Sequence, residues 1–321
     1  MRPSAALGTP RPAPDRFAAD VRRSLSLRPR QLPSRYLYDD LGSALFEAIS
    51  RLPWYRIARS EQSILRAHAR EILSRVGPLT SLIELGPGSG EKLATLLSGH
   101  AHRAVTVHLI DVSAAALDVA TSTLARDPAL DVVTHQSEYD AGLAVLARGA
   151  PERGRTLAVF LGSNIGNFDP PEADALLRGI RAALTRGDFL LLGTDLVKAE
   201  RDLLFAYDDP LGVTAAFNRN LLVRANRELG ADFDLDGFAH RAVWNATASR
   251  VEMHLVSERR QQVRIPASGL AITLEAAETI WTESSYKYRA DDARVMLERV
   301  GFRATEQWQQ GSFALTLARA G

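Results

Sequence analysis

The segment SLIELGPGSGEKLATLL, residues 81–97, joins an apolar run to a helix-forming run through glycines in alternate positions, Gly86, Gly88 and Gly90. A strand–glycine turn–helix unit lets a ligand approach the backbone and its N–H groups. Three glycines in five residues exceed what one tight turn needs, so the turn is expected to hold a ligand. A triphosphate loop has the spacing G-x-x-x-x-G-K-[ST]. Counted from Gly86, its second glycine falls on Glu91 and its hydroxyl position on Leu93. A carboxylate there repels a triphosphate, which excludes a nucleoside triphosphatase. A dinucleotide fingerprint places its third glycine three residues after the second; here Gly90 follows Gly88 by only two.

Glu84 lies near the end of the apolar run, with only Leu85 between it and Gly86. An acid in that place disfavours a pyrophosphate and favours a cationic ligand. S-adenosyl-L-methionine carries a sulfonium and an ammonium and no phosphate. Asp111 closes the run VTVHLID, about twenty residues past the loop, where an acidic side chain can accept both ribose hydroxyls. Alone, Asp111 suits a nicotinamide dinucleotide equally. The combination of Glu84, G-x-G-x-G and Asp111 points to a class I methyltransferase with Gly86, Gly88, Gly90 and Lys92 in its cofactor loop.

The bulk properties agree with an enzyme of small molecules. At 321 residues and 46% hydrophobic, the chain can bury a large core. Its net charge is +1 and no five like charges run together, so neither nucleic acid nor a membrane surface is an expected partner. There is no cysteine, which excludes disulfides, zinc–thiolate sites and thiol nucleophiles and suits a reducing cytoplasm. The seven histidines show no H-E-x-x-H or other metal spacing, and no metal is expected. The start, MRPSAALGTPRPAPDRF, lacks the apolar core of a signal peptide and is expected to be a disordered tail over 1–14. No apolar run approaches the ~18 residues of a membrane span, so a soluble protein is expected.

From Pro78 onward, the short apolar runs TSLIEL, VTVHLID, DVVTHQ, TLAVFLGS and DFLLLGTDLV alternate with helical stretches GEKLATLLSG, SAAALDVATSTLARD and PPEADALLRGIRAALTR. Strands alternating with helices predict a parallel, doubly wound sheet. The alternation stops at Lys198. A helical stretch follows, then strand-like pieces in ASRVEMHLVSERRQQVRI and LAITLEAAETIWTESSYKY. The end, ATEQWQQGSFALTLAR, reads as an antiparallel pair completing the sheet. The expectation is an α/β fold: a Rossmann-like class I methyltransferase sheet over 61–197 plus 286–321, with a second, discontinuous α+β substrate domain over 15–60 plus 198–285.

A second constellation, FLGSNIGNFDPPEADALL, follows the fourth strand and should border the ligand crevice. GSNIG is not the G-x-S-x-G of a nucleophile elbow. DPP invites comparison with the DPPY-type motif of methyltransferases acting on bases, but Glu172 stands where the stacking aromatic would be. Asp169 with Pro170 and Pro171 is better read as a helix N-cap and the first helical positions. Asn167 lies before the cap with an amide that can donate and accept.

The blocks SRYLYDDLGSALFEAISRLPWY, IELGPGSGEK, FLGSNIGNF, DLVKAERDLLFAYDD, RVEMHL and TESSYKY resemble the histidine-specific Nα-methyltransferases of ergothioneine biosynthesis, from about Leu32 to the C-terminus. The resemblance implies a monomeric, cytoplasmic enzyme that uses S-adenosyl-L-methionine to methylate the α-amine of L-histidine three times, giving hercynine. By that resemblance, Asn167 and Tyr207 hold the substrate carboxylate and amine, and Tyr55 lines the amine side. Tyr38 lies near the imidazole, Glu283 and Ser285 hydrogen-bond its two nitrogens, and Met253 packs beside the ring. Glu84 and Gly86 match the cofactor loop and Asp111 the ribose acid. Glu138, in QSEYD, stands where the family has the adenine-reading acid of an ADF or GDF block. The family often reads LPEYY where this chain reads LPWYR, so Trp54 and Arg56 change the surroundings of Tyr55. The rival expectation is an Nα-methyltransferase for another amino acid, such as a tryptophan derivative, whose indole would want apolar residues at 283 and 285. Taken singly, the tyrosines, Met253 and Glu283 read equally well as ordinary partly buried or strand residues.

Overall fold

The structure is a computed structural model that describes residues 14–100, 104–147 and 154–321. The tail expected over 1–14 lies outside these residues, apart from Pro14, which is the first residue of a helix rather than the last of a tail. The described chain divides into two compact units. The first holds Ile57–Val197 and Lys287–Gly321; the second holds residues 14–56 and Lys198–Tyr286.

The chain begins in the second unit with α1 (Pro14–Leu25), a two-residue strand β1 (Arg30–Gln31) and α2 (Asp40–Arg51). It continues through α3 (Arg56–Val76), β2 (Leu79–Leu85), α4 (Glu91–Leu97), β3 (Val105–Asp111), α5 (Ala114–Leu124) and β4 (Leu130–Gln136). Next come α6 (Tyr139–Leu146), β5 (Arg155–Phe160), α7 (Pro170–Ala182) and β6 (Phe189–Asp195). The second unit resumes with α8 (Glu200–Tyr207), α9 (Val213–Leu229), β7 (Phe238–Asn245), β8 (Arg250–Ser257), β9 (Gln261–Ile265), β10 (Leu270–Leu274) and β11 (Thr279–Tyr286). The first unit closes with α10 (Asp292–Arg299), β12 (Phe302–Gln310) and β13 (Phe313–Ala320).

Seven strands of the first unit form one sheet in the order β12-β13-β6-β5-β2-β3-β4. β2 to β6 are parallel; β13 joins β6 antiparallel, and β12 pairs antiparallel with β13. The continuous apolar runs of β5 and β6 are buried on both faces: Leu157, Ala158, Val159, Phe160, Leu190, Leu191 and Leu192 have no exposed surface. This is the pattern of a sheet with helices on both sides. β4, at the edge, is only partly covered and carries Asp131 on its exposed side. From β2 the chain steps to β3 and β4 on one side, and β5 and β6 extend the other. The switch point therefore lies between β2 and β5, and a ligand crevice is expected at their carboxyl ends. The antiparallel β12–β13 pair completes the sheet, in line with the sequence pattern. Asp169 is the N-cap of α7, with Pro170 and Pro171 opening the helix and the Glu172 carboxylate accepting the Asp169 N–H at 3.4 Å.

The second unit contains a four-stranded sheet, β1-β11-β8-β7, and a β9–β10 hairpin. α9 packs against α2, β7 and β8, burying Phe217, Leu221, Leu222, Ala225 and Leu229. Asp39 caps α2 by accepting the Gly42 N–H at 2.8 Å and ties α2 to α9 through Asn220 and Arg227, each at 2.7 Å. Periodicity does not announce α6, β1 or β7. α6 has only eight residues, β1 exists through its parallel pairing with β11, and β7 (FAHRAVWN) buries only Phe238 fully. Among the described residues no helix is long and apolar enough to cross a membrane.

Candidate active site

In the first unit, the parallel strands deliver the predicted cofactor residues to one edge. Glu84 lies at the end of β2, Asp111 at the end of β3, and Glu138 just past β4 as the N-cap residue of α6. Asn167 ends the short 3-10 turn Asn164–Asn167 that follows β5, half-buried. Gly86, Gly88 and Gly90 have φ values of +71°, +55° and +74°, but they do different things. A Cβ at Gly86 would stand 2.7 Å from the Tyr139 hydroxyl and 3.1 Å from Asn164 Nδ2. A Cβ at Gly88 would meet nothing within 4 Å, so the turn is open there. A Cβ at Gly90 would lie 3.0 Å from Ala120 Cα, so this glycine lets α4 pack closely on α5.

The electrostatics of this edge are set by buried acids. Glu84 is 2% exposed, and its Oε2 has no hydrogen-bond partner among the described residues. Burial pushes its pKa up to about 8, opposed by the charge of Lys92 and reinforced by Glu61 and Asp111. Burial also raises Asp111, to about 6, against the hydrogen bonds it accepts from the Ser113 and Val112 N–H groups; the Ser113 bond is 2.8 Å long. Burial, with the charges of Asp111 and Glu84, drives the Tyr139 phenol upward, so it stays neutral. A buried carboxylate lacking a partner, next to an open glycine turn, costs free energy until a cation arrives. A sulfonium cofactor fits that requirement, and Asp111 stands at the carboxyl end of the neighbouring strand β3.

Two residues of this edge escape sequence reasoning, Glu61 and Tyr139, whereas Asn164 lies in the FLGSNIGNF segment expected to border the crevice. Glu61 sits on the buried face of α3 with Ile57, Ile64 and Leu65 and has no exposed surface. An acid at helical spacing among apolar residues was the available signal. Both of its oxygens accept the Gly162 N–H, at 2.9 and 3.0 Å, and Lys92 Nζ lies 2.6 Å from Oε2. Lys92, expected in the cofactor loop, is thus already engaged by a carboxylate.

In the second unit, the expected substrate residues fall into two connected groups. Tyr38, Tyr55 and Tyr207 belong to one aromatic cluster with Phe46 and Phe217. Ring centroids are 5.6 Å apart for Tyr38–Phe46, 5.4 Å for Tyr38–Phe217, 6.2 Å for Phe46–Tyr55 and 6.3 Å for Tyr55–Tyr207. The other group lies on the sheet. Glu283 and Ser285 alternate onto one face of β11, following a register shift between Trp281 and Glu283, and Met253 pairs across from Glu283 on β8. All three are buried: Glu283 is 8% exposed, Ser285 4% and Met253 1%. The groups meet where the Tyr207 hydroxyl and Ser285 Oγ share a 2.7 Å hydrogen bond. Tyr207 is held from behind as well. Burial lowers the His240 pKa; its Nε2–H donates to the Tyr207 carbonyl at 2.7 Å, and Nδ1 accepts from Asn218 Nδ2 at 2.9 Å.

The strand order, the antiparallel final pair and the acid–glycine–acid edge define a class I, S-adenosylmethionine-dependent methyltransferase. A family model described as "Histidine-specific methyltransferase, SAM-dependent" matches residues 17–320, and the chain belongs to that family. Among relatives, a histidine N-alpha-methyltransferase of Mycolicibacterium smegmatis is 41% identical over 311 residues, covering 95% of each chain. One of the same name from Mycobacterium tuberculosis is 40% identical, covering 93% of each. A 4-dimethylallyltryptophan N-methyltransferase of Penicillium roqueforti is 24% identical, covering 90% of this chain and 88% of its own.

Proposed function

We propose that the chain transfers three methyl groups in succession from S-adenosyl-L-methionine to the α-amine of L-histidine, giving hercynine for ergothioneine synthesis. The similarity to histidine N-alpha-methyltransferases supports the substrate class. The observation that carries the choice of histidine is the buried pair Glu283 and Ser285, on one strand face beside Met253. A carboxylate there accepts an imidazole N–H, Ser285 Oγ meets the other ring nitrogen, and Met253 packs on the ring. An indole offers a single N–H and no second ring nitrogen to meet Ser285 Oγ, which disfavours the rival reading drawn from the tryptophan-acting relative. In this reading the second unit is the substrate-binding domain and the first is the cofactor domain. Glu84, Gly86, Gly88, Lys92, Asp111 and Glu138 serve the cofactor, with Gly90 packing the loop. Tyr38 lies near the imidazole. Tyr55, Asn167 and Tyr207 handle the amine and carboxylate and form the catalytic set.

When bound, S-adenosyl-L-methionine supplies an electrophilic methyl group on sulfur. The chain's task is to present the amine lone pair about 3 Å from that carbon, in line with the breaking S–C bond. An ammonium has no lone pair, so the amine must first lose its proton. Asn167 orients the nitrogen, and Tyr55 and Tyr207 relay the proton toward water. Over three rounds, three methyl groups replace the three protons of the ammonium, while the anchors at carboxylate and imidazole let the amine turn between rounds. The rate at subsaturating histidine is expected to rise with pH, by up to about tenfold per unit below the amine pKa. A flat profile between about pH 6 and 9 would contradict amine deprotonation as the controlling step.

The site of methylation is tested by supplying methyl-13C cofactor with L-histidine and following the product by NMR. Three equivalent labelled methyls on the α-nitrogen are expected; label on the imidazole would overturn the assignment of Glu283 and Ser285. The reading extends to a monomer, to be checked by light scattering, in the reducing cytoplasm that a cysteine-free chain suits.

A further inference from the structure

Lysine is nearly absent from this chain. Lys92, Lys198 and Lys287 are the only lysines among 39 basic residues. Two of the three pair with fully buried carboxylates of the first unit: Lys92 with Glu61 at 2.6 Å, and Lys287 with Asp195 at 3.0 Å. Where arginine is the default base, a lysine marks a place where a slender stem and a point charge are needed. The carboxylate of the Glu61–Lys92 pair is fully buried and closely fitted. A Cβ at Gly193 would fall 2.5 Å from Glu61 Oε1, and one at Gly162 would fall 3.4 Å from Lys92 Nζ. Gly193 thus makes room for the Glu61 carboxylate, and Gly162 lies in contact range of the Lys92 ammonium. Glu84 pairs in the sheet with Val159, three residues before Gly162, and its carboxyl feels the charges of Lys92, Glu61 and Asp111.

We propose that Glu61 is a positioning residue of the cofactor site: by engaging Lys92 and the Gly162 N–H, it keeps Lys92 from neutralising Glu84, so that Glu84 remains available to a cationic ligand. The inference rests on the methyltransferase reading and deepens it. Loss of the methyl group converts the sulfonium to a neutral thioether, S-adenosylhomocysteine. Everything else the two molecules present is the same, so an uncompensated Glu84 favours the charged form. Three rounds of transfer require the spent molecule to be exchanged each time, and a charge filter promotes that exchange.

The test is calorimetric binding of S-adenosyl-L-methionine and of S-adenosylhomocysteine to the full-length protein without amino-acid substrate, expressed as the ratio of the two affinities. Contacts that both ligands share cancel in the ratio, including any that Lys92 makes to their amino-acid portion. Glu61→Gln keeps an oxygen for Gly162 but releases Lys92 toward Glu84. The ratio is expected to shift roughly tenfold against the sulfonium, as a unit charge at this range predicts. Lys92→Met removes the competing cation while Glu61 keeps its charge, and should raise the preference for the sulfonium above that of the wild type. The double variant, Glu61→Gln with Lys92→Met, restores the local charge and should return the ratio to the wild-type value. Should Glu61→Gln fail to fold, Lys92→Met and the double variant still decide. A purely structural Glu61 would weaken both ligands alike, leaving every ratio unchanged, and that result would overturn the proposal. If the wild-type protein bound neither ligand, the cofactor reading itself would fall, and the inference with it.

Discussion

Replacing Glu283 by alanine is expected to lower kcat/KM for histidine by about 10²-fold or more, while the affinity for S-adenosyl-L-methionine changes less than about threefold. Glu283 is 8% exposed on β11, one residue past the register shift that follows Trp281. Its backbone is fixed by the Trp281 Nε1–H, which donates to the Glu283 carbonyl at 2.9 Å, and the opposite strand is fixed by the Thr282 hydroxyl donating to the Met253 carbonyl at 3.0 Å. A carboxylate presented on so rigid a frame discriminates by geometry. Without it, a bound imidazole keeps a buried N–H with no acceptor, and each such loss costs on the order of 1–3 kcal/mol, more where charge is involved. Histidine should therefore lose its advantage over amino acids with apolar side chains. Competition kinetics with mixed amino acids measure this directly. An unchanged histidine preference in Glu283→Ala would remove the residue from the substrate site.

Replacing Glu84 by glutamine should produce a protein that is more stable and binds its cofactor worse. The sign follows from the direction of the pKa shift. Folding raises Glu84 from its ordinary value near 4.5 to about 8, so the folded protein holds a proton that the unfolded chain releases. Wild-type stability is therefore full below about pH 4.5 and is lost as pH climbs through about 8. Glutamine carries no such penalty. The thermal midpoint of Glu84→Gln should exceed that of the ligand-free wild type by a margin that grows across this window and levels off above it. The affinity for S-adenosyl-L-methionine should fall by roughly 10²-fold, the order expected for losing a buried charge–charge contact. A variant that is destabilised at pH 8, or that binds as tightly as wild type, would contradict the role given to Glu84.

The sheet is legible in the sequence because the strands of its centre are short, mostly apolar runs bounded by turn residues. Glu84 and Asp111 are legible because an acid at or next to the end of such a run is out of place unless something pairs with it. The three tyrosines are another matter. Nothing local distinguishes Tyr38, Tyr55 and Tyr207 from other aromatics, and only their joint packing with Phe46 and Phe217 brings them together. Tyr139 could not be read either, since its meaning depends on the hydroxyl standing where a side chain at Gly86 would go. Glu61 gave a signal that periodicity alone could not interpret: a carboxylate on an apolar helix face states that a partner exists, but not that it is the Gly162 backbone and Lys92. The same holds for His240 and Asn218, far from any motif, which fix Tyr207 through its carbonyl.

Mass spectrometry of purified protein incubated with S-adenosyl-L-methionine and all twenty amino acids together measures substrate identity and methyl count at once. A gain of three methyl groups on histidine, with no other amino acid altered, is the predicted result. Methylation of a different amino acid, or accumulation of a singly methylated histidine as the final product, would contradict histidine Nα-trimethylation by this chain.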